Sequence, residues 1–526
     1  MMRHNPLIIF CLFLLTFVSC QQGAEKPKAE AEFSLKEITI PELQQGYKDG
    51  KLTIEGVVRQ YIDRIAEIDQ DGPQLNSIIL VNPDALDIAI ELDKELAAGK
   101  SRGPLHGIPV VLKDNIDTHD KMPTTAGSLA LQNSFPLKDS WVAQKLREAG
   151  AVIIGKSNLS EWANFRSKIS SSGWSGAGGQ TKNPYILDRN PCGSSSGSGV
   201  AVSANLCVIA IGTETNGSIV CPSNSNGIVG LKPTVGLISR TGIVPISFSQ
   251  DTPGPMGRTV TDVAIALGTM TGIDTADSKT LNSAGNFQMD YTQYLKPDGL
   301  KGKRIGLLRE SMGFHHKVDQ LIEQTIIWLK TQGAVVIELK DPTDGKMEKA
   351  SFDVMLYEFK DGLNRYFQNL GDNAPVNSLA ELIAFNKSDS VELGYFDQKL
   401  LEEAESKGSL DSPEYKQALT GMLRGARENG IDKFMDDNRL DAIMAPTGSP
   451  AWKTDLVDGD LFLGGSSSLA AISGYPAITV PMGFINELPV GVSFFGRAWS
   501  EPILLQIAFA YEQGTKQRKP PKFLKE

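Results

Sequence analysis

Histidine is scarce in this 526-residue chain: the five are His4, His106, His119, His315 and His316. A serine nucleophile served by an imidazole base therefore has few partners to draw on, and His315-His316 lies between a strand and a helix in a context that marks no base. Cysteine is equally scarce, at Cys11, Cys20, Cys192, Cys207 and Cys221. No C-x-x-C or Cys/His spacing suggests zinc. Setting aside Cys11 and Cys20 in the N-terminal segment leaves three, an odd count that argues against a disulfide framework. Cys192 and Cys221 flank two serine-rich loops and read as small buried packing residues. Clustered basic charge is also missing. Net charge is −10 and the isoelectric point is near 5.3, which excludes a nucleic-acid surface. No G-x-x-x-x-G-K-[ST] loop occurs, and G-x-G-x-x-G lacks its last glycine after Gly199, so a nucleotide-phosphate site is excluded too. The apolar run from Leu7 to Val18 is too short to cross a bilayer as a helix.

What is present is ordinary globular material, 41% apolar and 22% charged. Length alone would suggest three or four domains, but no linker divides the chain. Apolar residues at Ile54, Val57, Val58, Tyr61, Ile62, Ile65 and Ile68 predict an amphipathic helix over 53–69. A second helix is predicted over 84–98, stopping at Gly99. Residues 108–112 read as a buried strand ending at Lys113, and 151–154 as another, ending at Gly155-Lys156. A strand at 303–308, a helix over about 318–331 and a strand at 335–339 form a β-α-β unit, which implies parallel pairing. Residues 346–438 read as a charged helical excursion, a lid or wall of a cleft. Strands at 442–445, 477–481 and 490–495 and a helix at 503–511 follow. The expected architecture is one large α/β/α domain over residues 35–520 around a mixed sheet.

Arg3 and His4 precede the apolar run, and Phe17-Val18-Ser19-Cys20 ends it. This resembles a bacterial lipoprotein signal, with an imperfect lipobox. The expectation is a signal over 1–20, lipidation at Cys20, a flexible tether over 21–34, and a membrane-anchored protein of the bacterial envelope. An ordinary cleaved signal peptide is the alternative.

Residues 193–222 organise the rest: GSSSGSGVAVSANLCVIAIGTETNGSIVCP. Glycines and serines open the run, and a second tight turn, Glu214-Thr215-Asn216-Gly217-Ser218, closes it. Consecutive backbone N–H groups in such a turn make an anion-binding concavity. A serine beside them has what an acyl-transfer nucleophile needs. The first loop also satisfies G-x-S-x-G, centred on Ser195. That elbow requires a buried strand immediately before it, and 187–192 is polar and proline-interrupted.

This run resembles the serine-rich motif of the amidase signature hydrolases. Residues 107–115 (GIPVVLKDN), 183–193 (NPYILDRNPCG) and 227–236 (GIVGLKPTVG) fit the same family, and the Gly-Ser-Ile-Val-Cys-Pro wording at 217–222 resembles the bacterial peptide amidases. The resemblance implies a catalytic Lys113, a bridging Ser194 held by a cis peptide bond, and a nucleophile at Ser218, 24 residues on. It implies an oxyanion hole of backbone N–H groups from Thr215, Asn216, Gly217 and Ser218, with no cofactor and no metal. Lys113 would act neutral, which for a solvated lysine costs roughly 4–5 kcal/mol at pH 7 and must come from burial. Three positions depart from the family pattern. Cys192-Gly193 stands where two glycines are frequent, Asn216 where glycine is common, and Val220 where many members carry arginine.

The expected activity is hydrolysis of a carboxamide, foremost the C-terminal amide of short peptides, to the acid and ammonia. An amidase of small aryl or fatty amides is the alternative. An amidotransferase subunit fits less well, because an exported chain is separated from cytosolic tRNA. A surface lipoprotein that binds amidated peptides without turnover is the reading from another class.

Overall fold

Short runs, most of them rich in Val, Ile and Leu and buried through the middle of the sheet, align side by side in the computed structural model, which describes residues 1–2, 34–340, 345–371 and 374–526. The strands are β1 (Ile78–Val81), β2 (Pro109–Lys113), β3 (Val152–Ser157), β4 (Trp174–Ser175), β5 (Gly179–Gln180), β6 (Ile209–Glu214), β7 (Val229–Lys232), β8 (Thr252–Gly257), β9 (Arg304–Leu308), β10 (Val335–Leu339), β11 (Ala442–Pro446), β12 (Ala477–Ile485) and β13 (Leu488–Phe495). β4 and β5 pair separately. The other eleven form one mixed sheet in the order β1-β3-β2-β6-β8-β7-β12-β13-β11-β9-β10. Residues Leu35–Glu526 make a single unit, the one large α/β domain expected. Among the described residues no helix is long and apolar enough to cross a membrane. The expected signal, Cys20 and nearly all of the tether lie outside the described residues.

Two parallel pairings position the site. β2 runs parallel to β3 and to β6, with Leu112 opposite Lys156 and Ile211. The carboxyl ends of β2 and β6 therefore lie side by side, where α/β sheets place their ligand sites. The helix Ile54–Arg64 buries Ile54, Val57, Val58 and Tyr61, each worth roughly 1.5–3 kcal/mol when removed from water. Thr53 caps it by accepting the Gly56 N–H at 3.1 Å. The helical pattern predicted to 69 finishes as a π-helical turn, Ile65–Gln70. The β-α-β unit is as expected: β9 and β10 pair in parallel around the helix His316–Thr331.

Among its described residues the segment 346–438 is largely helical. Its first helix, Lys346–Asn369, buries Phe359, Leu363 and Phe367 against Trp162, Val244 and Ile246. Polar anchors fix it there. Ser351 Oγ donates to Gln250 Oε1 at 2.7 Å, and Tyr366 Oη donates to Asp117 Oδ1 at 2.9 Å.

Candidate active site

Lys113 is the last residue of β2, a strand buried along its whole length. Its Nζ lies 2.7 Å from Ser194 Oγ, 2.9 Å from Thr213 Oγ1 and 3.3 Å from the Thr213 carbonyl. Thr213 is within reach because β6 runs parallel beside β2. Among the described residues no carboxylate lies within ion-pair distance of Lys113. Burial pushes its pKa down to about 7, against the opposing pull of Asp251 and Glu214. Near neutrality it is thus about half unprotonated, where a solvated lysine is neutral in about one molecule in a few thousand. Lys156 and Lys232 are also buried with lowered pKa values. Lys156 Nζ is spent on the Ile116 carbonyl and Thr124 Oγ1, and Lys232 Nζ on the Pro233 carbonyl. Of these three buried lysines, only Lys113 meets a serine hydroxyl.

Ser194 follows a cis peptide bond from Gly193. The chain then enters a small-residue helix, Ser196–Ser203, all of it buried. Glycine is required at 197, since a Cβ there would lie 2.2 Å from the Ser77 carbonyl and 2.6 Å from the Asn158 N–H. Ser195, the centre of the elbow pattern, is buried and occupied: its Oγ donates to the Thr213 carbonyl and accepts the Thr213 N–H. His106 contacts the Leu92 carbonyl and His119 the Pro136 carbonyl, while His315 stacks on His316. No described histidine bonds to Ser194, Ser195 or Ser218, so the elbow reading fails on both its nucleophile and its base.

Residues 215–218 form the turn between β6 and the helix Val220–Ser225. The Ser195 N–H donates to the Ser218 carbonyl at 3.1 Å, which brings the two serine loops into direct contact. Ser218 keeps 9% of its surface exposed, against 1% for Ser194 and none for Lys113. The two hydroxyls themselves share no hydrogen bond among the described residues. The turn is shaped from both sides. Glu214 Oε2 accepts the N–H groups of Ile219 and Val220 at 2.8 and 3.1 Å. Thr215 Oγ1 donates to Asp251 Oδ1 at 2.6 Å, and burial pushes the Asp251 pKa up to about 6. Gly217 sits at φ +85°, a conformation that favours glycine. The N–H groups of Asn216, Gly217 and Ser218 donate to no acceptor among the described residues, so the turn presents free donors beside Ser218.

The cysteine reading is corrected here. Cys192 and Cys221 form a disulfide, with Cα atoms 5.9 Å apart, and only Cys207 is free among the described cysteines. Parity misled because one leftover thiol does not prevent one bridge. The helix, strand and turn between the two carry Cys221 back beside Cys192. Asn115, Thr213, Glu214 and Asp251 were not singled out from the sequence. Asn115 Nδ2 donates to Thr213 Oγ1 at 3.0 Å, so Thr213 is held against the lysine from both sides. Asn115 ends the 107–115 motif and Glu214 opens the Thr215–Ser218 turn, so both lie within the recognised segments, though without an assigned role. Asp251 lies in none of these segments. Among the described residues no group of three His, Cys, Asp or Glu side chains could hold a metal.

The profile of the Amidase family matches residues 56–505. The native peptide amidase of Stenotrophomonas maltophilia is 51% identical, over 93% of this chain and 99% of its own, with a TM-score of 0.90. A structure of the peptide amidase PAM with the competitive inhibitor chymostatin is likewise 51% identical over the same shares, with a TM-score of 0.91. A protein of Arabidopsis thaliana named "probable amidase" is 41% identical over 514 residues, 95% of this chain and 94% of its own.

Proposed function

This chain belongs to the amidase signature family of hydrolases acting on amide C–N bonds, and from that premise we propose a serine amidohydrolase that removes the C-terminal carboxamide of short peptides. The observation that carries the mechanism is the 2.7 Å contact between buried Lys113 Nζ and Ser194 Oγ. Neutral Lys113 accepts the Ser194 proton as Ser194 takes the proton of Ser218, and Ser218 Oγ attacks the amide carbon. The free N–H groups at 216–218, with Thr215 at the head of the turn, meet the oxyanion. Each such donor is worth roughly 3–4 kcal/mol in the transition state. The proton returns to the leaving ammonia, and water then hydrolyses the acyl-enzyme. With no histidine at the site, the lysine is the available base.

The substrate class draws on two supports. Ser218 is followed by Ile219, Val220 and Cys221, so its neighbours along the chain offer no charge for a free carboxylate, whose unpaired burial is costly. The 51% identity to peptide amidase structures favours the same class. The test incubates the purified protein with an amidated tripeptide and with its free acid. Hydrolysis adds about one mass unit to the amide alone. Internal fragments, or turnover of aryl or fatty amides with every peptide amide untouched, would move the assignment to the alternative. The non-catalytic reading has no support beside this constellation.

Lipid anchoring at Cys20 is part of the proposal. It draws on the 17–20 sequence and on the Cys192–Cys221 disulfide, a bond of oxidising compartments.

A further inference from the structure

The loop between Trp452 and Ser467 carries an exposed apolar cluster. Val457, Leu461, Phe462 and Leu463 are exposed within seven residues, at 79, 67, 48 and 48%. Ile169 joins them, because Gly459 packs so closely on the Ile169 carbonyl that a Cβ would lie 2.2 Å from it. The loop is pinned at both ends, at one of them to the turn before Ser218. Asp460 accepts the Ser172 N–H at 2.9 Å and Asn190 Nδ2 at 3.2 Å, just ahead of the Ser194 loop, and Trp452 Nε1 at 3.1 Å. At its other end Ser467 Oγ donates to Asn216 Oδ1, in the turn before Ser218, at 2.7 Å. Phe462 packs edge-on against Trp452, with centroids 5.8 Å apart. A Cβ at Gly448 would touch both the Phe462 ring, at 3.6 Å, and Asn224 Nδ2, at 3.5 Å; Asn224 belongs to the helix that follows Ser218.

A loop fixed at both ends yet holding its large apolar side chains in water is built for something that covers them. We propose that Ile169, Val457, Leu461, Phe462 and Leu463 form a subsite for an apolar side chain of the peptide, N-terminal to the amidated residue. The Ser467–Asn216 bond holds the loop beside the turn that carries Ser218, and Phe462 and Asn224 both border Gly448; this proximity favours the substrate as occupant over a membrane or a second copy. This rests on the peptide-amide reading above.

The test compares kcat/KM for acetylated tripeptide amides that differ only in the residue before the amidated one: Leu, Ala or Asp. Wild-type protein should prefer Leu over Asp by about tenfold or more, carried mainly in KM. Leu461→Ser/Phe462→Ser should collapse that ratio toward one. Circular dichroism and Tm of the variant are compared with wild type, because Phe462 packs on Trp452; if they fall, Leu461→Ser alone, at the more exposed of the two side chains, should at least halve the ratio. Peptide amides turned over without an apolar preference, or a preference that survives substitution, would overturn this inference while sparing the activity. A surviving preference with lost sedimentation on phosphatidylglycerol vesicles, or with an altered oligomeric state, would reassign the patch to a membrane or to a second copy. If no peptide amide is hydrolysed, both readings fall.

Discussion

The Cys192–Cys221 disulfide joins the two loops that carry the hydroxyls of the proposed mechanism: Cys192 lies two residues before Ser194, and Cys221 three after Ser218. It closes a loop across a sequence separation of 29, worth about 3–4 kcal/mol if its effect is entropic. Reduction, or Cys192→Ser/Cys221→Ser, should lower Tm and also slow fluorophosphonate labelling of Ser218 by about tenfold at temperatures where the fold persists. A Tm loss with an unchanged labelling rate would make the bond purely structural.

The pH dependence follows from Lys113. With its pKa near 7, kcat/KM should rise about tenfold per pH unit below that value and level off above it. Lys113→Ala should abolish turnover while circular dichroism stays native. The same group links stability to pH. Between about 7 and 10.5 the unfolded chain holds a proton on this lysine that the native chain has released. Stability therefore gains about 1.4 kcal/mol per pH unit from Lys113 across that window and nothing below it. In Lys113→Met this part of the slope should vanish, measured as the wild-type minus variant difference in urea unfolding.

Ser218 and Ser195 separate the two serine mechanisms. Ser218→Ala should cost four or more orders of magnitude in kcat and lose covalent labelling. Ser195→Ala, which removes a hydroxyl bonded to Thr213 at 3.1 and 3.2 Å, should cost about tenfold and keep labelling. Complete loss of labelling in Ser195→Ala would restore the elbow reading.

Thr213 supplies an acceptor to the lysine ammonium, and that contact favours the charged form. Thr213→Val should therefore shift the pH–rate midpoint to lower pH. It should also reduce kcat by about 10–100-fold, since Asn115 loses its partner as well. An unchanged midpoint would show that Thr213 does not tune the base.

Labelled palmitate should enter the wild-type protein in bacterial cells and be absent from Cys20→Ala, with the variant released from membranes. Equal labelling of both would refute the anchor.

Local pattern in the sequence was enough for seven strands of the sheet and for the loops of the proposed site, but it missed β1, β6, β7 and β8, whose short runs carry no clear period of their own. The run 108–112 had to be a buried strand because it is apolar throughout, and that placed Lys113 at a strand end. The glycines and serines around 194 and 218 allowed only tight, closely packed turns. Such features depend on a residue and its near neighbours, so periodicity and composition carry them. The rest depends on partners far apart in the chain. Thr213 meets Lys113 across 100 residues because β2 and β6 run parallel. Cys192 finds Cys221, and Asp251 reaches Thr215 from β8's edge. The lowered pKa of Lys113 is of this second kind: desolvation is a property of everything packed around an amine, and only the folded chain sets it.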